Sequence, residues 1–203
     1  MIECFFDCSS PWTYLGFHNL RQMAKELKVP VVWRPILVGG IFNTINPSVY
    51  ASREQGVPAK QAYLKKDLQD WAGHAGLSIR FPPSIFPINS VKAMRACIWL
   101  APQGHLEPFA QAVFEAYWRD DRDIGQDDVL ADLAGQVGVA GVELLAGLAR
   151  PEVKAQLKAN TDEAIARGAF GSPTIFVGGS DMYFGNDRMP LVRAAVLQRR
   201  GAA

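Results

Sequence analysis

The sequence predicts an α/β protein whose sheet is assembled from the two ends of the chain, with an all-helical insertion between them. Three observations carry this. Residues 1–36 read strand, helix, strand. Residues 151–200 read helix, strand, strand, helix. Nothing between residues 40 and 148 reads as a strand. On this reading residues 1–36 and 151–200 form one discontinuous domain with a four-stranded sheet, and residues 37–150 form the inserted helical domain with a substrate-pocket loop.

Each element has a local reason. IECFFD (2–7) is short, apolar and aromatic, which suits a buried strand. Ser10-Pro11 follows, serine at an N-cap and proline at the first helical position. The helix then runs to about Leu27, with Leu20, Ala24 and Leu27 on one stripe and Leu15, Asn19 and Met23 beside it. Pro30 breaks the chain before the strand Val31–Ile36, and strand–helix–strand makes the two strands parallel. Residues 37–58, with Gly39-Gly40, Asn46-Pro47 and Gly56, read as loop. Leu64, Leu68, Trp71 and Ala75 have amphipathic helical spacing. Prolines 82, 83 and 87 make the next stretch irregular. Helices are expected over 90–101, 105–118, 127–137 and 141–148, then over 151–168 with Pro151 at its start and Gly168 or Gly171 as its stop. Thr174–Val177 and Met182–Phe184 flank the hairpin signal GGSD, and Asp187 is placed to cap a last helix. The order is that of thioredoxin, carrying an all-helical insertion.

A chain of 203 residues with 49% apolar side chains buries a substantial core without disulfides or metal, and is not disordered. The 21 Lys and Arg nearly balance 20 Asp and Glu, and the net charge of +1 gives no bulk attraction to nucleic acid or an anionic membrane. Basic residues form no stripe with aromatics, which also argues against nucleic acid. Cysteines 4, 8 and 97 are too few for a disulfide scaffold, lack zinc spacing and suit a reducing compartment. Histidines 18, 74 and 105 show no ligand spacing, so no metal is expected. The start, MIECFFDCSSPW, has Glu3 and no basic leader, and no apolar run approaches the ~20 residues of a membrane span. The expectation is a cytoplasmic globular protein.

Few residues are placed to do chemistry. Ser10 ends a strand and opens a helix, beside unpaired N–H groups and the positive end of the helix dipole. Such a spot stabilises a thiolate or another anion, and it is equally an ordinary N-cap. Ser172-Pro173-Thr174 precedes a strand, where a cis proline would leave the Ser172 backbone open to an extended peptide; a trans proline opening the strand is the plainer alternative. Lys60 and Arg188 are candidates to hold carboxylates, and Asp187 an amine, although each is also an ordinary surface residue. A thioredoxin-type dithiol would occupy positions 10 and 13, and serine and threonine stand there, so that motif cannot exchange disulfides.

Five segments, in this order and on these elements, carry a resemblance: FFDCSSPWTYLG (5–16), KQAYLKKDLQDWA (60–72), Phe81-Pro82, GAFGSPTIFV (168–177) and FGNDRM (184–189). The chain resembles the 2-hydroxychromene-2-carboxylate isomerase family and, more broadly, the kappa-class glutathione transferases. YLKKDLQDW and FGNDR are more similar to the isomerase branch. The resemblance implies the DsbA-like arrangement, a thioredoxin domain with an inserted helical domain, and a homodimer. It implies glutathione as cofactor, with Ser10 at the sulfur and Lys60 at the glycyl end. The backbone of Ser172, before Pro173, would face the cysteinyl backbone, and Asn186 and Asp187 would lie near the γ-glutamyl group. Two departures are Ser9, where many relatives have a bulky apolar residue, and Trp12, in place of phenylalanine or tyrosine.

The implied reaction converts 2-hydroxychromene-2-carboxylate to trans-o-hydroxybenzylidenepyruvate in aromatic catabolism, with Trp12, Phe42 and Trp71 as candidates to stack on the small aromatic substrate. The alternatives are a kappa-like glutathione transferase acting on another electrophile and a non-catalytic thioredoxin-fold binding protein.

Overall fold

The computed structural model describes residues 1–54 and 56–201. Four strands form one sheet in the order β2-β1-β3-β4: β1 (Ile2–Phe6), β2 (Val31–Pro35), β3 (Thr174–Val177) and β4 (Asp181–Phe184). β1 runs parallel to β2 and antiparallel to β3, and β3 and β4 form an antiparallel hairpin. Cys4 lies opposite Trp33 on one side and Ile175 on the other. The hairpin turns on Gly178 and Gly179, whose φ of 62° and 95° lie in the left-handed region that glycine tolerates.

Ten helices accompany the sheet among the described residues: α1 (Pro11–Leu27), α2 (Val38–Ile45), α3 (Ser48–Glu54), α4 (Pro58–His74), α5 (Val91–Leu100), α6 (Leu106–Trp118), α7 (Asp127–Gln136), α8 (Gly141–Leu148), α9 (Pro151–Ala166) and α10 (Met189–Gly201). Strand alternation sorts the core into two layers. Ile2, Cys4, Phe6, Ile175 and Val177 join the main cluster with Leu15, Phe17 and Leu20 of α1, Phe114 of α6 and Val192 of α10. Phe5 and Phe176 point to the other face and pack with Ile36, Ile41 and Ala164. Apolar cover on both faces explains why β1 is buried throughout. Its one acid, Glu3, is buried too and is held by Arg167, at 3.0 Å, which also lies over the Phe176 ring.

Two expectations need correction. Residues 37–58 contain α2 and α3 rather than loop, with only Gln55 outside the described residues. Glycine pairs disfavour helix locally, but tertiary contacts override that here. The N–H groups of Leu37 and Val38 donate to the Thr161 hydroxyl and the Asp7 carboxyl, and Gly40 lets α2 lie close to the Thr161 methyl. Nor does Asp187 cap the last helix. Residues Asn186–Arg188 form a 3-10 turn before α10, and the Asp187 carboxylate pairs with Arg188 at 3.1 Å. That pairing offsets the Arg188 charge just before the start of α10, where a cation is unfavourable.

Candidate active site

Ser10 is the N-cap of α1. Its backbone is extended, and its Oγ accepts the Thr13 N–H at 3.2 Å. The oxygen therefore caps the helix while the hydroxyl hydrogen stays available to another acceptor. Pro11 occupies the first turn, and that turn contains no acid. The positive end of a 17-residue helix is thus unopposed within its own first turn.

Ser172 packs against this helix start. Its Oγ accepts the Asp7 N–H at 3.1 Å and the Thr13 hydroxyl at 2.8 Å. The Ser172–Pro173 peptide is cis, and Pro173 rests on α1 at Gly16. A Cβ at Gly16 would meet the Pro173 Cγ at 2.7 Å, so only glycine permits this approach. The Pro173 carbonyl accepts the Gly185 N–H at 3.1 Å, which draws residues 185–187 to the same corner.

Asn186 is buried there. Its Oδ1 accepts the Asn19 side-chain amide at 2.7 Å, while its Nδ2 has no partner among the described residues. A buried amide nitrogen without an acceptor is costly. Asp187 is exposed beside it. Lys60 stands apart, on the exposed first turn of α4 next to Tyr63 and Leu64, and no described contact joins it to Ser10. Of the three aromatic candidates, Trp12 and Trp71 rest half-buried on the main core, with the Trp71 ring against His74, and Phe42 meets Tyr50.

The cysteines take no part in this corner's chemistry. All three are buried and free, and burial pushes the Cys4 and Cys8 thiols well above their ordinary range. The turn before Ser10 is fixed from behind, where Trp118 Nε1 donates to the Cys8 carbonyl at 2.9 Å.

Sequence reasoning missed Asp7 and Asn19. Asp7 is fully enclosed at the end of β1, and burial raises its carboxyl pKa against the opposing pull of hydrogen bonds from Ser9, Val38 and Ser90. The one available signal was a second acid, after Glu3, at the end of a mostly apolar strand.

Residues 1–197 match the family model of the DSBA-like thioredoxin domain. The chain is 29% identical to human glutathione S-transferase kappa 1 over 204 residues, covering 94% of this chain and 88% of that protein. It is 25% identical to 2-hydroxychromene-2-carboxylate isomerase of Pseudomonas putida over 196 residues, covering 97% and 94%. A solved structure of 2-hydroxychromene-2-carboxylate isomerase superposes with a TM-score of 0.84 at 25% identity, covering 99% of this chain and 97% of that one. With a mixed four-stranded sheet, an all-helical insertion and a family model that spans nearly its whole length, the chain belongs to the DsbA-like thioredoxin domain family.

Proposed function

We propose that the protein is a glutathione-dependent isomerase that converts 2-hydroxychromene-2-carboxylate to trans-o-hydroxybenzylidenepyruvate in the cytoplasm, within aromatic catabolism. The observation that carries this is the Ser10 hydroxyl, set at a helix N-terminus with no acid in its first turn, beside the Ser172–Pro173 backbone. The corner fits a thiol peptide: it offers a donor and a dipole for an anionic sulfur, with the Ser172 backbone beside them.

Each residue has a stated task. Ser10 donates to the sulfur and favours its ionised form. Ser172 aligns the cysteinyl backbone, with Pro173 holding the loop on Gly16. Asn186 and Asp187 receive the γ-glutamyl end, and Lys60 reaches the glycyl carboxylate. Bound glutathione supplies a thiolate nucleophile for reversible addition to the conjugated substrate, and is recovered unchanged. Trp12, Phe42 and Trp71 offer aromatic surface to the bicyclic substrate.

A homodimer is part of the proposal, and α4 supports it. Residues 58–66 of this helix are exposed, with Tyr63 and Leu64 at 62% and 52%. Lys60, Tyr63, Leu64 and Asp67 share one helical stripe. A second copy laid antiparallel about a two-fold axis between 63 and 64 pairs Tyr63 with Leu64 and leaves Lys60 to the ligand.

The test follows both reactants. Isomerisation with glutathione conserved supports the proposal. Steady consumption of glutathione by an electrophile supports the second reading, a kappa-like transferase, which the human relative favours. Absence of glutathione binding leaves a non-catalytic binding protein.

A further inference from the structure

We propose that Asp7 is a positioning residue whose single carboxyl sets both halves of the site, the Ser10 turn and the first turn of α2. The role is tied to the reading above, since α2 carries Phe42 and the Ser10 turn carries the sulfur donor.

The geometry is specific. Asp7 is 1% exposed and has no ion-pair partner among the described residues. Oδ1 accepts the Ser9 N–H at 2.9 Å, and Oδ2 accepts the Val38 N–H at 2.8 Å. The Asp7 N–H donates to Ser172 Oγ, and its carbonyl accepts the Ser10 N–H at 3.3 Å. One residue therefore ties the Ser10 turn, the Ser172 loop and α2 together. Burying a carboxyl is costly unless its oxygens are satisfied, and here they are satisfied by two backbone donors, Ser9 close by and Val38, 31 positions along the chain from Asp7. α2 has no side-chain cap of its own at Leu37, so the remote carboxyl serves its first turn.

Only a carboxyl can accept at both ends. An asparagine at position 7 must turn its NH2 toward either Ser9 or Val38, donor against donor. Val38→Pro removes the second of these donors. Proline suits the first position of a helix, and Leu37 already has the extended backbone that precedes proline, with φ −108° and ψ 106°.

Three variants test this: Asp7→Asn, Val38→Pro and the double variant. Amide hydrogen exchange is measured without glutathione at Thr13, in the Ser10 turn, at Ile41, in α2, and at Val113, in the core of α6. Michaelis constants for glutathione and for the second substrate are measured beside kcat. Asp7→Asn is expected to lose at least about tenfold protection at Thr13 and Ile41 with Val113 unchanged, and to raise both Michaelis constants together. Val38→Pro alone is expected to raise only that of the second substrate. The double variant, with no N–H opposing the amide, is expected to recover protection at Thr13. Equal loss at all three amides makes Asp7 a scaffold residue and overturns the proposal, as does unchanged protection at Thr13 and Ile41. A wild type that binds no glutathione overturns the functional reading, while the exchange result still decides whether Asp7 couples the two turns.

Discussion

Replacing Ser10 by alanine separates its two roles. The cap is worth about 1 kcal/mol, because one first-turn N–H, that of Thr13, loses its acceptor. A hydrogen bond to a charged group is worth roughly 1.5–3 kcal/mol, so loss of the sulfur donor raises the bound thiol pKa by about one to two units. Near neutral pH the reaction should slow by roughly 10- to 100-fold, with part of the loss recovered at higher pH, where the thiol ionises unaided. Ser10→Asp sharpens the contrast. It keeps a good N-cap and sets a negative charge where the sulfur ionises, so the protein should stay as stable as wild type and show less thiolate than the alanine variant. The assay is thiolate ultraviolet absorbance of bound glutathione against pH, with turnover expressed per folded molecule. Superimposable titrations of wild type and Ser10→Ala, with equal turnover, would refute the reasoning and leave Ser10 as a cap.

Three further outcomes are expected. Gly16→Ala gains about 1 kcal/mol of helix propensity but drives a methyl into Pro173, at 2.7 Å, so glutathione affinity measured by calorimetry should fall more than the melting temperature does. The Glu3 carboxyl is held below its usual range by the hydrogen bond from Arg167, so its stabilisation is complete above the unfolded value, 4.5, and is lost as pH falls through the lower folded one. Glu3→Gln should therefore lower the melting temperature by about 4–8 °C at neutral pH, and the gap to wild type should close as pH falls below the unfolded value in a pH series of thermal melts. Tyr63→Asp and Leu64→Asp, each at an exposed apolar position of α4, should weaken the dimer in sedimentation without glutathione; a wild-type monomer at all concentrations would reject the α4 interface.

The sequence made legible what is local. Ser10-Pro11 announces a helix start because cap and proline act within one turn, and the apolar run of β1 announces burial on both faces. The glycines at 178 and 179 mark the hairpin for the same reason: the left-handed backbone is a property of one residue. What stayed hidden depends on partners far along the chain. Gly39-Gly40 looks like a breaker until Thr161 and Asp7 serve the first turn of α2. Asn186 bonds to Asn19 across 167 positions, and no spacing rule links two asparagines at that distance. Asp187 failed as a cap because Arg188, next in sequence, takes its charge.

The division of labour between positions 10 and 13 explains how a thioredoxin-like frame can serve chemistry other than disulfide exchange. Both positions sit on the first turn of α1, where thiols would be activated by the same N–H groups and dipole. Here the Thr13 hydroxyl is committed to Ser172, and only the Ser10 hydroxyl retains a free hydrogen. The chain's own thiols lie in the core, with Cys4 and Cys8 held protonated by burial. The activating field is therefore kept while the side-chain sulfur is absent from it. On the proposed reading the reacting sulfur arrives on a ligand, and a peptide that aligns on the Ser172 backbone is the kind of ligand that can deliver one to Ser10.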